Sequence, residues 1–284
     1  MDVSSLVTQT FRILNAHLLS ILTCPECRGD LLAEIDRLRC GSCGRFFVLQ
    51  SGTPLFLSEK VEIVPAEHKS NPLGAEYEAI LRDGKDLVLH IGAGATVTRY
   101  PNCVEFEHKI FRHTDVVGDA HHLPFRDSVF DRVFAFNVFE HLRDPRTAAS
   151  EIFRVLKPSG SVAIHTAFLQ ALHEKPAHFF NATEYGVREW FTQFEIDRCD
   201  VSGNFSPGYM MAYLMSNVLD CVRAAEVSAE GEAALSKTTI GEWAAFWAQG
   251  NNPPVGFQIL QDMPQDLQKR ISAGFELLAR KPSA

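Results

Sequence analysis

The run Asp86-Leu87-Val88-Leu89-His90-Ile91-Gly92-Ala93-Gly94-Ala95 constrains this chain more than any other stretch. Its apolar residues crowd together and then break at once into Gly-x-Gly. That is the pattern of a buried strand ending in a tight turn, where backbone must lie close to a ligand. Three more short apolar segments follow, at 103–107, 115–120 and 130–137, each with an acidic or amide side chain at its carboxyl end. Ligands of open parallel α/β sheets bind at those ends. The expected fold is therefore α/β, a doubly wound and mainly parallel sheet. The interval from Gly94 to Cys103 contains Pro101 and is too short for a full crossover helix, so a loop or a single turn must meet the ligand there.

The most specific local signal lies upstream. Cys24-Pro25-Glu26-Cys27 and Cys40-Gly41-Ser42-Cys43 are two knuckles that can set Cys24, Cys27, Cys40 and Cys43 around a tetrahedral zinc ion. Four protein thiolates leave no open coordination position, which makes the expected zinc structural. Seven cysteines, four of them paired in this way, read as metal ligands rather than disulfides if the chain is cytoplasmic. The apolar run at 18–22 is too short to span a bilayer and carries no basic flank or cleavage site, so a cytoplasmic location is the expectation. A formal charge of −8 with no Lys/Arg cluster argues against an extended nucleic-acid surface.

Length and composition, 284 residues with 46% hydrophobic and 22% charged, suit a soluble chain with a large core. We expect four parts: an N-terminal helix and zinc module over 1–58, a linker over 59–84 with a short helix near 75–81, a ligand-binding domain over 85–202, and a helical extension over 203–284. The N-terminal helix is expected over 3–22 from its apolar rhythm. Asp144-Pro145 marks a helix start, with an N-cap followed by proline at the first helical position, and Lys157-Pro158-Ser159-Gly160 is expected to end that helix before a strand at 161–166. A sixth strand is expected at 194–201. Met210, Met211 and Met215 lie on a helix at 206–225 and suggest core or an oligomer interface. Trp243 and Trp247 fall four apart on another helix, and a last one is expected at 267–278.

Taken together, Gly-Asp-Ala-His at 118–121 with Leu123-Pro124-Phe125, Glu140-His141, and Arg154-Val155-Leu156-Lys157-Pro158 resemble the class I S-adenosylmethionine-dependent methyltransferases over roughly 85–196. The piece 18–57 is similar to the small zinc-binding activators that partner methyltransferases acting on translation components. The resemblance implies a cofactor site built from His90, Gly92, Ala93, Gly94, Glu107, Asp119, Ala120, His121 and Asn137. Within it, Glu107 would hold the ribose hydroxyls and Asp119 the adenine amino group. Relatives usually carry an acid where this chain has His90, and often His-Asp-Tyr-x-Arg where it has His178-Phe179-Phe180-Asn181.

The expected activity is transfer of a methyl group to an O or N nucleophile, most readily of a small molecule. His141, His173 and His178 are the candidate acids or bases, because imidazole titrates near neutrality. Two alternatives stand beside this reading. One is a non-catalytic scaffold on a decayed methyltransferase fold, and the other is an enzyme that uses S-adenosylmethionine for a reaction other than methylation. No membrane partner is expected, and the C-terminal helices could join a homo-oligomer.

Overall fold

The computed structural model describes residues 15–250, 252–275, 277 and 280. They form two units, one running to Ala167 and including Ala182–Cys199, the other made of Phe168–Asn181 and the chain from Asp200 onward. Of the helix expected at 3–22, the described part is α1, Ala16–Ile21, capped by the Asn15 side chain; residues 1–14 lie outside the described residues.

In the first unit β1 (Leu31–Ala33), β2 (Arg37–Cys40), β3 (Phe46–Gln50) and β4 (Thr53–Leu55) form an antiparallel meander. Ser51 and Gly52 turn β3 into β4 with φ of 51° and 82°, the left-handed pair that matches strand twist in a two-residue loop. After α2 (Ala75–Asp83) come β5 (Val88–Ile91), β6 (Cys103–Glu107), β7 (Val116–Val117) and β8 (Phe130–Phe136). Next follow α3 (Pro145–Val155), β9 (Leu156–His165) and α4 (Glu184–Trp190). Among the described residues the strands make one nine-stranded sheet in the order β1-β2-β3-β4-β7-β6-β5-β8-β9, parallel from β4 onward. Strand order reverses at β5, which puts a ligand crevice between the carboxyl ends of β5 and its neighbours.

The boundaries expected at 58 and 84 do not separate units. The meander joins the parallel sheet through Leu55 opposite Val117, with Phe56 N–H donating to Val117 O, so β4 is not left as an open edge. Arg28 also reaches from the cysteine ribbon, Nη1 donating to Leu123 O and Nη2 to both carboxylate oxygens of Glu151. Residues 59–84 are equally tied in. Leu81 of α2 packs on Val88, Cys103 and Phe134, covering one face of the sheet. The other face buries Leu89, Ile91, Val104, Phe106, Val133 and Ala135 against α3 and Phe191.

Two sequence expectations shift for reasons of pairing. α3 stops at Val155, and the extended chain starts at Leu156 rather than at 161, because Val129 N–H takes the Val155 carbonyl and Phe130 pairs with Leu156. Lys157-Pro158-Ser159-Gly160 is then a bulge inside β9, with Ser159 at φ 65°. The strand expected at 194–201 is irregular. Among the described residues no ladder pairs this segment with β9 or any other strand, and Phe194 and Ile196 are partly buried by packing against the core instead.

The second unit is helical: α5 (Pro207–Ala224), α6 (Ala229–Lys237), α7 (Ile240–Gln249), α8 (Gly256–Gln261) and α9 (Gln265–Ile271). It buries Cys221, Val222, Leu235 and Met263. The methionine stripe is not its core, since Met211 and Met215 are exposed while Asn217, Cys221 and Val222 of α5 point inward. The helix expected to reach 278 ends at Ile271, before Ser272-Ala273-Gly274, whose small side chains offer it no apolar face to bury.

Candidate functional site

The turn after β5 has the backbone its sequence demands. Gly92 and Gly94 both sit at φ 67°, where a side chain would be strained. A Cβ on Gly92 would collide with Val138, which follows β8, so the two loops meet at the crevice where strand order reverses. A Cβ on Gly94 would collide with Ser70.

No helix follows this turn, and three acceptors hold it instead. Gly94 N–H donates to Glu107 Oε1 (2.5 Å), Ala95 N–H to Ser70 Oγ (2.9 Å), and Thr96 Oγ–H to Glu105 Oε1 (2.7 Å). Ser70 belongs to the segment expected to be a linker. That segment is strapped to the loop after β6: Val64 N–H donates to Ile110 O, Ile110 N–H to Glu62 O, Arg112 donates to Ala66 O, and Lys109 pairs with Glu62 at 3.0 Å. It thus crosses the carboxyl ends of β5 and β6.

Of the residues expected to bind a cofactor, Gly92, Ala93, Gly94 and Glu107 come together here. His90 is buried one turn below, edge-on to Phe134 and Phe136, and burial holds its imidazole down at about 4. Its ring is neutral and packs among aromatic side chains of the core. Glu107 is buried at the end of β6, with Oε2 3.3 Å from His108 N–H. Asp119 and Ala120 follow β7, and Asp119 Oδ1 accepts from both His121 N–H (2.9 Å) and His121 Nδ1 (2.5 Å). Asp144 N–H donates to His121 Nε2 (3.1 Å), so the neutral Nδ1–H tautomer satisfies both of the ring's bonds. The hydrogen bond to His121 draws the Asp119 carboxyl below its ordinary range and raises the proton affinity of the ring. Asn137, just after β8, takes φ 56°, a left-handed conformation that Asn tolerates better than most residues.

The structure adds residues that the spacing did not single out. Glu105 shares a face of β6 with Glu107, and alternation alone announces that much, but Glu105 is 3% exposed and lies opposite His90 in register. Its Oε2 has no hydrogen-bond partner among the described residues. His113 Nδ1 stands 3.0 Å from Thr96 Oγ, and Asp115 accepts from Glu105 N–H while pairing with Arg99 at 2.5 Å. Only the register between β5 and β6 and the loop packing could reveal this cluster. Glu140 is likewise buried, accepting from Thr166 Oγ at 2.9 Å.

His141 closes the short 3-10 turn Phe139–His141 in the sheet unit, while His173 and His178 belong to the helical unit. His178 is engaged at both nitrogens: Nδ1 accepts from His173 N–H, and Nε2 bonds to Phe180 O. His173 Nδ1 bonds to Ala171 O. Within the helical unit His173 also lines a cleft of about 580 Å³ with Glu174, Lys175, Tyr213, Asn217 and Arg270. Arg270 is held there by two hydrogen bonds to Asn217 Oδ1.

In the ribbon, Cys24 and Cys40 are buried and Cys27 and Cys43 exposed, with all four Sγ atoms within 4.8 Å of one another. Cys43 N–H donates to Cys40 Sγ. Four thiols at this spacing are the donor set of a tetrahedral zinc site, and soft sulfur ligands match that ion. For an adenosine-bearing cofactor the fit rests on the side-chain-free glycine turn, on Glu107 against it at the end of β6, and on Asp119 after β7, the next strand in the sheet.

Residues 94–164 match the family model described as a methyltransferase domain. The chain is similar to the O-methyltransferase rstn1 of Aspergillus nomiae, 43% identical over 54 residues that cover 19% of this chain and 24% of the relative. It is similar also to a demethylmenaquinone methyltransferase of Streptomyces avermitilis, 47% identical over 47 residues, 16% and 20% of the two chains. The aligned part thus spans about a quarter or less of each curated relative. Among solved structures, phosphoethanolamine N-methyltransferase 2 of Haemonchus contortus matches at TM-score 0.34 and 16% identity, covering 61% of this chain and 47% of that one. The matched residues, 94–164, run from the glycine turn into β9, and over that segment the chain is similar to a methyltransferase domain.

Proposed function

We propose that the protein is an S-adenosylmethionine-dependent methyltransferase acting on an O or N nucleophile of a small molecule. The observation that carries this reading is the coincidence of the matched segment with the glycine turn and with acidic or amide residues at three strand ends: Glu107, Asp119 and Asn137. Bound there, S-adenosylmethionine supplies a methyl group activated by the sulfonium. The protein's share is positioning and exclusion of water. Glu107 accepts the two ribose hydroxyls through its carboxylate, a stronger acceptor than a neutral side chain. Asp119, with His121 fixing its orientation, accepts the adenine amino group, and Ala120 lines the ring. Asn137 and the turn after it would hold the methionine end.

For a hydroxyl acceptor a base must take one proton as the new bond forms, and His141 is our first candidate, followed by His173. His178 braces its own loop through both ring nitrogens and ranks last. Cys24, Cys27, Cys40 and Cys43 bind one structural zinc that holds the ribbon against the sheet. Thiolates of this kind persist in a reducing compartment, which favours the cytoplasm. No helix of the described residues is long and apolar enough to cross a membrane.

A scaffold role draws support from one observation, the internal engagement of Glu107 by Gly94 and of Asp119 by His121. Calorimetric titration with S-adenosylmethionine separates the two readings. Binding that Asp119→Ala weakens is expected for the enzyme, and no heat from the folded, zinc-loaded protein favours the scaffold. Mass analysis of products formed with a methyl-labelled cofactor then separates methyl transfer from other reactions of the sulfonium.

A further inference from the structure

The glycine turn is held from below by a chain of three groups that the cofactor reading does not use. Thr96 Oγ lies 2.7 Å from Glu105 Oε1 and 3.0 Å from His113 Nδ1. Thr96 has one hydroxyl proton, so it can donate to only one of them at a time. We propose that Glu105 is a positioning residue which, through Thr96, fixes the glycine turn in the orientation that receives S-adenosylmethionine. The inference rests on the cofactor reading above and assigns a role to residues outside that ligand set.

With Glu105 ionised, the carboxylate takes the Thr96 proton in a charge-assisted bond, and His113 donates Nδ1–H to Thr96 Oγ. With Glu105 protonated on Oε1, the carboxyl donates to Thr96 Oγ, and the Thr96 proton turns to His113 Nδ1. The two states differ by one proton on Glu105, by the His113 ring proton, which sits on Nδ1 in the first and has exchanged through solvent to Nε2 in the second, and by the direction of every bond in the chain, so the turn above is held in two different ways. Glu107 and Ser70 fix the two amides just before Thr96, so a change at Thr96 is felt where backbone meets ligand.

The surroundings make the switch fall in an accessible range. Burial pushes the Glu105 carboxyl up to about 7; the Thr96 hydrogen bond and Arg99 pull it down, while Asp115 and Glu107 push it further up. Asp115 is raised by its own burial and paired with Arg99. His113 is lowered by burial and by Arg99 and Arg112, which keeps it neutral at pH 7. His90, opposite Glu105 in the ladder, is neutral as well, and Cys103 on the same face is held protonated by burial. Burial thus brings the charge change of Glu105 near neutrality.

The test uses the zinc-loaded full chain and two readouts. Calorimetry with S-adenosylmethionine and with S-adenosylhomocysteine, from pH 6 to 8, is expected to give a wild-type affinity that rises with pH and levels off above pH 7.5. Thr96→Val, which keeps shape and loses the hydroxyl, is expected to lose about tenfold in affinity, the size of one charge-assisted hydrogen bond. Thr96→Ser should restore it. Glu105→Gln, which retains an acceptor but no titrating proton, should bind with a flat profile. Positioning predicts the same pH dependence for both compounds, whereas a rise confined to the sulfonium-bearing one means simple charge attraction and overturns the proposal. In the free protein, amide exchange at Gly94 and Ala95 should quicken about tenfold in Thr96→Val, the exchange counterpart of one lost bond. Unchanged exchange and unchanged affinity in that variant also overturn it. If wild type binds neither compound, the cofactor reading and the proposed role fall together, and the exchange result still judges the brace itself.

Discussion

The two units of this chain bury different things. The sheet unit hides Phe106, Phe125, Phe130, Phe134 and Phe139 almost completely, together with the charged side chains Glu105, Glu107, Asp115 and Glu140. The helical unit buries Cys221, Val222, Leu235 and Met263 and leaves Tyr209, Met215 and Trp247 in water. In a ladder a side chain's direction is dictated by register, so a carboxylate at the right position is carried inside whether or not its burial is favourable. On a helix an unfavourable residue can sit on the open face. Perturbed acids and bases therefore concentrate in the sheet unit, and mutations there should matter far more.

The largest effect should come from the metal. If the ribbon holds zinc, replacing Cys40 and Cys43 with Ser should abolish one zinc equivalent, whose binding is worth roughly 10–16 kcal/mol in small structural sites. Loss of exchange protection should spread from β2 and β3 through β4 into β7, because Leu55 pairs with Val117. Metal analysis with residue-resolved exchange checks this, and protection unchanged in β7 would make the ribbon independent of the sheet.

Next in size is a direct contrast between the units. Phe130→Ala removes a ring packed edge-on to Phe125 at 5.0 Å and should lower unfolding free energy by roughly 3–5 kcal/mol. Met215→Ala in α5 should stay within about 0.5 kcal/mol. Equal losses in urea titrations would mean that the two units do not differ in this way.

Acid should distinguish the units as well. His90 titrates at about 4 in the folded chain against 6.5 for the free ring. The unfolded state therefore takes up a proton that the folded state refuses. Stability is full above pH 6.5 and falls by roughly 3 kcal/mol on the way down to pH 4, at 1.36 kcal/mol per unit. Glu105, raised from 4.5 to about 7, acts in the opposite direction, its contribution being full below pH 4.5 and lost as pH rises to about 7. The quantity to measure is thus the difference between wild type and His90→Gln, which should shrink as pH falls from 6.5 to 4.

A smaller change is expected at the cofactor site. Asp119→Ala should weaken S-adenosylmethionine binding by about 1–3 kcal/mol, and Glu107→Gln by less, since the amide still accepts one bond. The smallest effect belongs to Trp247, which is 90% exposed: Trp247→Ala should leave thermal unfolding within the scatter of surface substitutions, about 0.5 kcal/mol. A large loss there would mean that this face of α7 is covered in solution.

Much of the sheet was legible in the chain because its signals are local. Apolar runs broken by Gly92 and Gly94, an Asp144-Pro145 helix start and paired cysteines each specify backbone within a few residues, and the strands, α3 and the cysteine cluster follow them. Glu107 could be chosen by its position at a strand end. What depended on distant partners was not legible. Ser70 against the glycine turn, Leu55 beside Val117, Glu105 opposite His90, and the bulge at Ser159 are set by which strands become neighbours and in what register. The apolar residues at 194–201 alternate as a strand would, yet without a neighbour to share hydrogen bonds they pack as an irregular segment. Sequence fixes the local preference of each segment, and tertiary pairing decides which preferences are satisfied, because a ladder bond needs a partner that no local window contains.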